Sequence, residues 1–358
     1  MPSNRFAYPV LFAAAAAALA FLLGAARAQQ CPPIVAPVSS GYHLLKTIPL
    51  GGEDRWDLLE FDSPTRRLFI SRSTKVVVLN VDSGEVVGEI PDTQGVHGIA
   101  LAPDLGRGFT SNGRANTVTI FDLATLQVLG TANTGDGPDA IVYDPASKRV
   151  FTMNGRGKNA TAIDAATGTV AGTFPLGGKP EFAVADGDGQ IYANLEDMGE
   201  QVAIDTRKLA VTARWPIDGC ESPSGLAIDR EKKLLFTGCD NKVMAILSTG
   251  SRKTIKTLPI GPGVDANAFD PGTGLAFSSN GGDGGTLTMV HVDSRKKFSS
   301  MEDVPTQQGA RTMALDPKTH QVFLVTAKFG PAPDPTADQP HPRPPVLPDT
   351  FVVLVYGK

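Results

Sequence analysis

Seven polar residues recur along the 358-residue chain at intervals of 40 to 46 residues: Asp57, His97, Asp139, Glu181, Ser224, Asp265 and Arg311. Each stands five places before a corner residue, which is Asp62, Ala102, Asp144, Asp186, Asp229, Asp270 or Asp316. Four carboxylates, an imidazole, a hydroxyl and a guanidinium gathered at one place would form a negative mouth able to bind a cation or a polar ligand. A hard cation needs several oxygen donors converging on one point. The plainer expectation is that a strand entrance beside water is polar in any case, and that Arg311 and Asp57 pair if their copies adjoin.

Two further residues break the pattern. Glu60 stands where the other copies have Ala or Val, and Asn267 stands where they have Leu, Ile, Met or Ala. Buried polar groups need partners, so each either completes a ligand site beneath the ring or bonds to backbone or water. A metal-dependent reading would take Glu60, Asp139, Glu181 and Asp265 as ligands of a divalent cation such as calcium, with His97 as acid or base. A Ser224, His97 and Asp139 triad is set aside, because nothing in the chain resembles a nucleophile elbow.

These residues must be positioned by a repeat. Aligning the copies on the aromatic after each corner gives Phe69, Phe109, Phe151, Tyr192, Phe236, Phe277 and Phe323. The residues ahead of each corner, such as "AIVYD" ending at Asp144 and "GLAID" ending at Asp229, are apolar or small on both faces. An antiparallel strand with one wet face would alternate, so this strand must be covered on both sides. With a second strand on the aromatic and a third and fourth after it, each unit is one propeller blade. The fold expected is all-β, a seven-bladed β-propeller of four-stranded blades. The seventh unit stops at its third strand, "FVVLVYGK", and "YHLLKTIPLGG" from Tyr42 is similar to the fourth-strand segment "VAGTFPLGGKP" from Val170. The N-terminal strand should therefore pair with the last blade and close the ring, removing an exposed edge.

"FTSN" at Phe109, "FTMN" at Phe151 and "FSSN" at Phe277 resemble the Tyr-Val-Thr-Asn motif of the YVTN β-propeller repeat family, also called YncE-like. The resemblance spans the chain after its leader and implies an exported propeller without implying an activity. Arg72, Cys239 and Thr326 stand at the Asn place in blades one, five and seven, and blade four reads as shortened to "YAN" at Tyr192.

Residues 1–28, with Arg5 before an apolar run and Ala26-Arg27-Ala28 at its end, read as a secretory signal peptide. Residues 29–41 then form a tail and 42–358 the propeller, with no membrane span once the leader is removed. The net charge of −4 and the lack of a Lys/Arg run argue against binding nucleic acid or anionic lipid. Of three cysteines, Cys220 and Cys239 should form a disulfide and Cys31 is the spare. Residues 330–349 hold eight prolines and should form an extended flap on the ring-bearing face, carrying His341 and Arg343. "NGGDGG" from Asn280 lacks the Lys-Ser/Thr of a phosphate loop and reads as a hairpin turn. The function expected is that of a monomeric periplasmic or secreted binding or scaffold protein, for which a divalent cation such as calcium is the one cofactor the residues suggest. Its partner would be a small ligand or another protein, held at the channel mouth. A lactonase-like metal-dependent hydrolase is the enzymatic alternative.

Overall fold

The computed structural model describes residues 39–300, 302–336 and 342–358. The expected signal peptide, Cys31 and His341 lie outside the described residues. The chain forms seven antiparallel sheets of four strands each, and the sixth carries an added two-residue strand, Val304–Pro305. Blade three shows the plan, with strands Pro138–Asp144, Arg149–Asn154, Asn159–Asp164 and Val170–Pro175 counted from the channel outward. Its second and third strands are buried on both faces, whereas the fourth buries little and faces water at the rim. That gradient explains the near-continuous apolar character of the middle strands: neighbouring blades cover them on both sides.

The core is divided into seven layers, one between each pair of adjoining blades. Each layer holds one repeat aromatic. Phe69, Phe109, Phe151, Phe236, Phe277 and Phe323 are fully buried and Tyr192 nearly so. Burying one such ring contributes about 1.5–3 kcal/mol. At five of the six Asp corners the carboxylate is buried, Asp186 being half-buried, and turn amides donate to carboxylates there, as between Asp144 and Ser147 N–H at 3.0 Å and between Asp316 and Lys318 N–H at 3.0 Å. Blade two, with Ala102 there, turns instead through a short 3-10 helix, Pro103–Leu105.

The N-terminal strand His43–Pro49 runs antiparallel to the final strand Val352–Gly357 and completes blade seven. Tyr42, just ahead of it, is buried against Phe277 with ring centroids 5.4 Å apart, and its hydroxyl donates to the His320 carbonyl at 2.8 Å. Blade four is not shortened. Gln190–Leu195 pairs along its whole length with Glu200–Asp205, so Leu195 holds the motif Asn place and Asn194 lies one place earlier.

Cys220 and Cys239 form the expected disulfide, with Cα atoms 5.4 Å apart. It ties the loop entering blade five to the end of that blade's second strand, where the motif Asn would stand. The Pro-rich insertion closes at its base through a Phe329–Val346 bridge and a Gly330 N–H to Pro345 carbonyl bond of 2.9 Å.

Removing Tyr42 to Leu50 is expected to lower the melting temperature sharply, because it opens the ring and exposes the ladder of Val352–Gly357. Removing residues 29–38 should leave the melting temperature nearly unchanged, and differential scanning calorimetry on the two truncations checks this. Replacing both Cys220 and Cys239 with Ser should cost about 3 kcal/mol of unfolding free energy, read from urea titrations of the oxidised parent and the variant.

Candidate functional site

The seven strand entrances meet around the channel mouth, where their side chains form a broken circle of pairs. His97 Nδ1 lies 2.6 Å from Asp57 Oδ2 and 3.6 Å from Asp139 Oδ1. Glu181 is 3.6 Å from Lys179 Nζ, which also pairs with Glu196. Ser224 Oγ donates to Asp265 Oδ1 at 3.2 Å, and Arg311 Nε lies 3.0 Å from Asp265 Oδ2. Arg311 thus turns toward blade six, and Asp57 is taken by His97 of blade two. The Arg311–Asp57 pair expected across the closing blades does not form.

The motif strands hold these residues in place. Ser111, two places after Phe109, accepts the Gly98 amide at 2.9 Å within its own blade and donates to the Asp139 carbonyl of the next. Ser279 does the same work in blade six, donating to the Arg311 carbonyl. Asn194 serves blade four, its Nδ2 donating to the Ser224 carbonyl at 2.7 Å. The motif Asn itself braces the second strand against the third: Asn112 Nδ2 donates to Thr119 Oγ1 at 2.8 Å, and Asn154 and Asn280 bond likewise to Thr161 and Thr288. Gly113 permits the His97 position, since a Cβ there would lie 2.7 Å from the imidazole.

The deeper pair of residues separates from the ring. Glu60 and Asn267 line a second cavity of about 300 Å³, further along the channel, together with Val142, Phe182 and Ala268. Burial, with the Asp62 charge, raises the Glu60 carboxyl to about 8. Asn267 fills space left by two glycines, its Oδ1 standing 2.6 Å from where a Cβ of Gly225 or Gly238 would be, and its Nδ2 reaches the Phe236 carbonyl at 3.4 Å. That is a packing role. Glu60, Asp139, Glu181 and Asp265 do not form one ligand group. Among the described residues, the donor atoms that do converge, all within 4.8 Å of one another, belong to Asp57, His97 and Asp139.

Above the ring lies a cavity of about 740 Å³, bordered by Asp57, His97 and Arg311 and walled by Trp56, Phe329 and Pro344. Trp56 packs on Phe351 and Phe329 with centroids 5.0 and 5.9 Å away. Arg55, Arg114, Arg156 and Arg343 also line it, so the mouth carries more positive charge than the seven ring positions show. Arg343 places the Pro-rich insertion on this face, as expected. A sequence signal existed for some of these: Arg114 and Arg156 both complete an Asn-Gly-Arg turn after the motif, and Arg55 and Lys179 each stand two places before a ring residue.

Burial, followed by the charge of Asp139, raises the Glu181 carboxyl. Burial also raises Asp139, against the opposing pull of His97, and raises Asp265 against that of Arg311. For His97 burial acts downward, but the Asp57 hydrogen bond and the charges of Asp139, Asp57 and Glu181 outweigh it and push the imidazole up to about 9. The direction of that shift favours the cationic imidazole, the form whose Nδ1–H donates to Asp57 Oδ2.

No protein-family model matches the chain, and no curated protein matches it. Solved structures do. A chain of the mitotic checkpoint complex aligns over 96% of this chain and 99% of its own, with a TM-score of 0.71 and 16% identity. The RRP9 WD40 repeats align over 90% and 99%, with a TM-score of 0.71 and 11% identity. Hydrazine synthase from Kuenenia stuttgartiensis aligns over 76% and 92%, with a TM-score of 0.68 and 15% identity. At such identities the likeness concerns the fold alone: the chain is a seven-bladed β-propeller. Among the described residues, no helix is long and apolar enough to cross a membrane.

Asp139, Glu181, Asp265 and His97 all have folded-state pKa values above their ordinary ones. Such groups stabilise most fully below their unfolded pKa values and lose that contribution as pH rises through the folded ones. The melting temperature is therefore expected to fall as pH rises from 5 to 9. Glu181→Gln should make the decline shallower, which a series of calorimetric scans across that range would register.

Proposed function

We propose that this propeller is an exported, monomeric binding or scaffold protein whose ligand sits in the cavity at the ring-bearing mouth. The observation that carries the reading is the cavity itself. At about 740 Å³ it has the size of small-molecule sites, and it joins an aromatic wall at Trp56 and Phe329 to polar groups from Asp57, His97 and Arg311. The disulfide suits an oxidising compartment, periplasmic or extracellular. The leader at residues 1–28 and the YVTN-like motifs support the same reading, as a member of the YncE-like group of exported propellers.

A second reading has one observation in its favour, the convergence of Asp57, His97 and Asp139. One imidazole and two carboxylates suit a zinc-type ion better than calcium, which prefers oxygen donors alone. A bound metal would polarise a carbonyl or activate water for a hydrolase. His97 would have to surrender its proton to such an ion, and the nearby arginines oppose a cation.

Of the two tryptophans, Trp56 borders the cavity and Trp215 is buried between blades four and five. Small-molecule binders from a thermal-shift library are expected to change tryptophan emission in the parent and not in Trp56→Phe. Binders that stabilise the protein while leaving Trp56 silent would place the ligand elsewhere. Zinc titration of the parent and His97→Gln tests the second reading, which requires one-to-one uptake lost in the variant.

A further inference from the structure

The charge of the cavity wall is out of keeping with the rest of the chain. Five arginines and a single carboxylate, Asp57, line the cavity of a protein whose net charge is −4. Two of the five are accounted for. Arg156 pairs with Asp136 at 3.0 Å and donates to the Gly113 carbonyl at 2.8 Å, and Arg311 pairs with Asp265.

Arg55, Arg114 and Arg343 have no carboxylate partner among the described residues. Arg55 Nη2 donates only to backbone carbonyls, of Pro344 at 2.8 Å and Arg343 at 3.5 Å. The guanidinium groups of Arg114 and Arg343 make no hydrogen bond among the described residues. Burial, then the charges of Arg343 and Arg311, lower the Arg55 pKa. His97 faces the same cavity.

Exposed arginines scattered over a surface are ordinary. These three come from separate parts of the chain, the entrance to blade one, the second-to-third-strand turn of blade two and the Pro-rich insertion, and they converge on one concavity. Like charges held together without counter-ions repel, and an anion entering the concavity relieves that repulsion. The guanidinium fork matches a carboxylate or phosphate through two parallel hydrogen bonds. A monovalent anion would leave most of the forks unmatched.

We propose that the cavity binds a compact, multiply charged anion bearing two or more phosphate or carboxylate groups, held by Arg55, Arg114 and Arg343. The assignment rests on the reading that the mouth is the ligand site, and it names the chemistry of the ligand.

The test is calorimetric titration of the disulfide-bonded protein with inorganic pyrophosphate and, separately, with citrate, at fixed ionic strength, with Trp56 emission followed in parallel. Spermidine and calcium serve as cationic probes. One-to-one binding of at least one anion is expected, weakened at least tenfold in the R114Q/R343Q double variant. Neither side chain holds the fold, so the melting temperature of the unliganded variant should equal or exceed that of the parent. Tighter binding of pyrophosphate would assign phosphate esters, and tighter binding of citrate would assign polycarboxylates. Failure of both anions to bind, or binding indifferent to R114Q/R343Q, would overturn the proposal. Were a cation or a neutral library compound to perturb Trp56 in that event, the mouth would stand as the ligand site with a different ligand. Silence of Trp56 toward every probe would remove both.

Discussion

Every blade has two apolar faces, and neither can be left to water. The middle strands are buried on both sides only because a neighbouring blade lies against each, with one repeat aromatic wedged into each layer. A row of such sheets has two uncovered ends, and a closed ring has none. The need for double cover therefore dictates the closure through His43–Pro49, and it also gathers the strand entrances around one axis. Residues some forty positions apart in the chain become neighbours at the mouth for this reason.

The mouth inherits its rigidity from that arrangement. Ser111, Ser279 and Asn194 each reach from the second strand of one blade to a ring-residue carbonyl of the next. The same contacts that keep adjoining blades in register thus set the backbone from which Asp139, Arg311 and Ser224 project. The cavity above is built differently: its aromatic wall and its arginines come from turns and from the insertion, which the barrel of inner strands supports without specifying. A rigid frame with variable loops allows ligand preference to change while the fold stays constant.

Backbone-level features are readable from residue pattern alone. The period of the aromatic, the five-residue offset to each corner and the missing fourth strand of blade seven are all properties of strands, and strands impose fixed spacing. Side-chain partnerships are not. Arg311 stands between blades six and one and could reach either, so only coordinates show that Asp265 holds it while His97 holds Asp57. Blade four reads as truncated when aligned on an Asn, although Asn194 bonds from the neighbouring place and the strand has full length. The arginines that lack a carboxylate partner among the described residues escape a column-by-column reading because Arg55, Arg114 and Arg343 occupy three different offsets, one of them outside any repeat.

The pairing of His43–Pro49 with Val352–Gly357 also orders events in time. Among the described strands, the one nearest the start is the last to find its partner, since nothing can complete blade seven until Val352–Gly357 is present. Blades one to six can each close on local hairpins, whereas this one contact joins strands about three hundred residues apart and carries the largest single loop-closure cost. Until it forms, the fully buried Phe323 and Phe351 have an incomplete cover. A chain halted just short of Val352–Gly357 therefore keeps six blades' worth of local pairings and still presents the raw outer edge of an open ring.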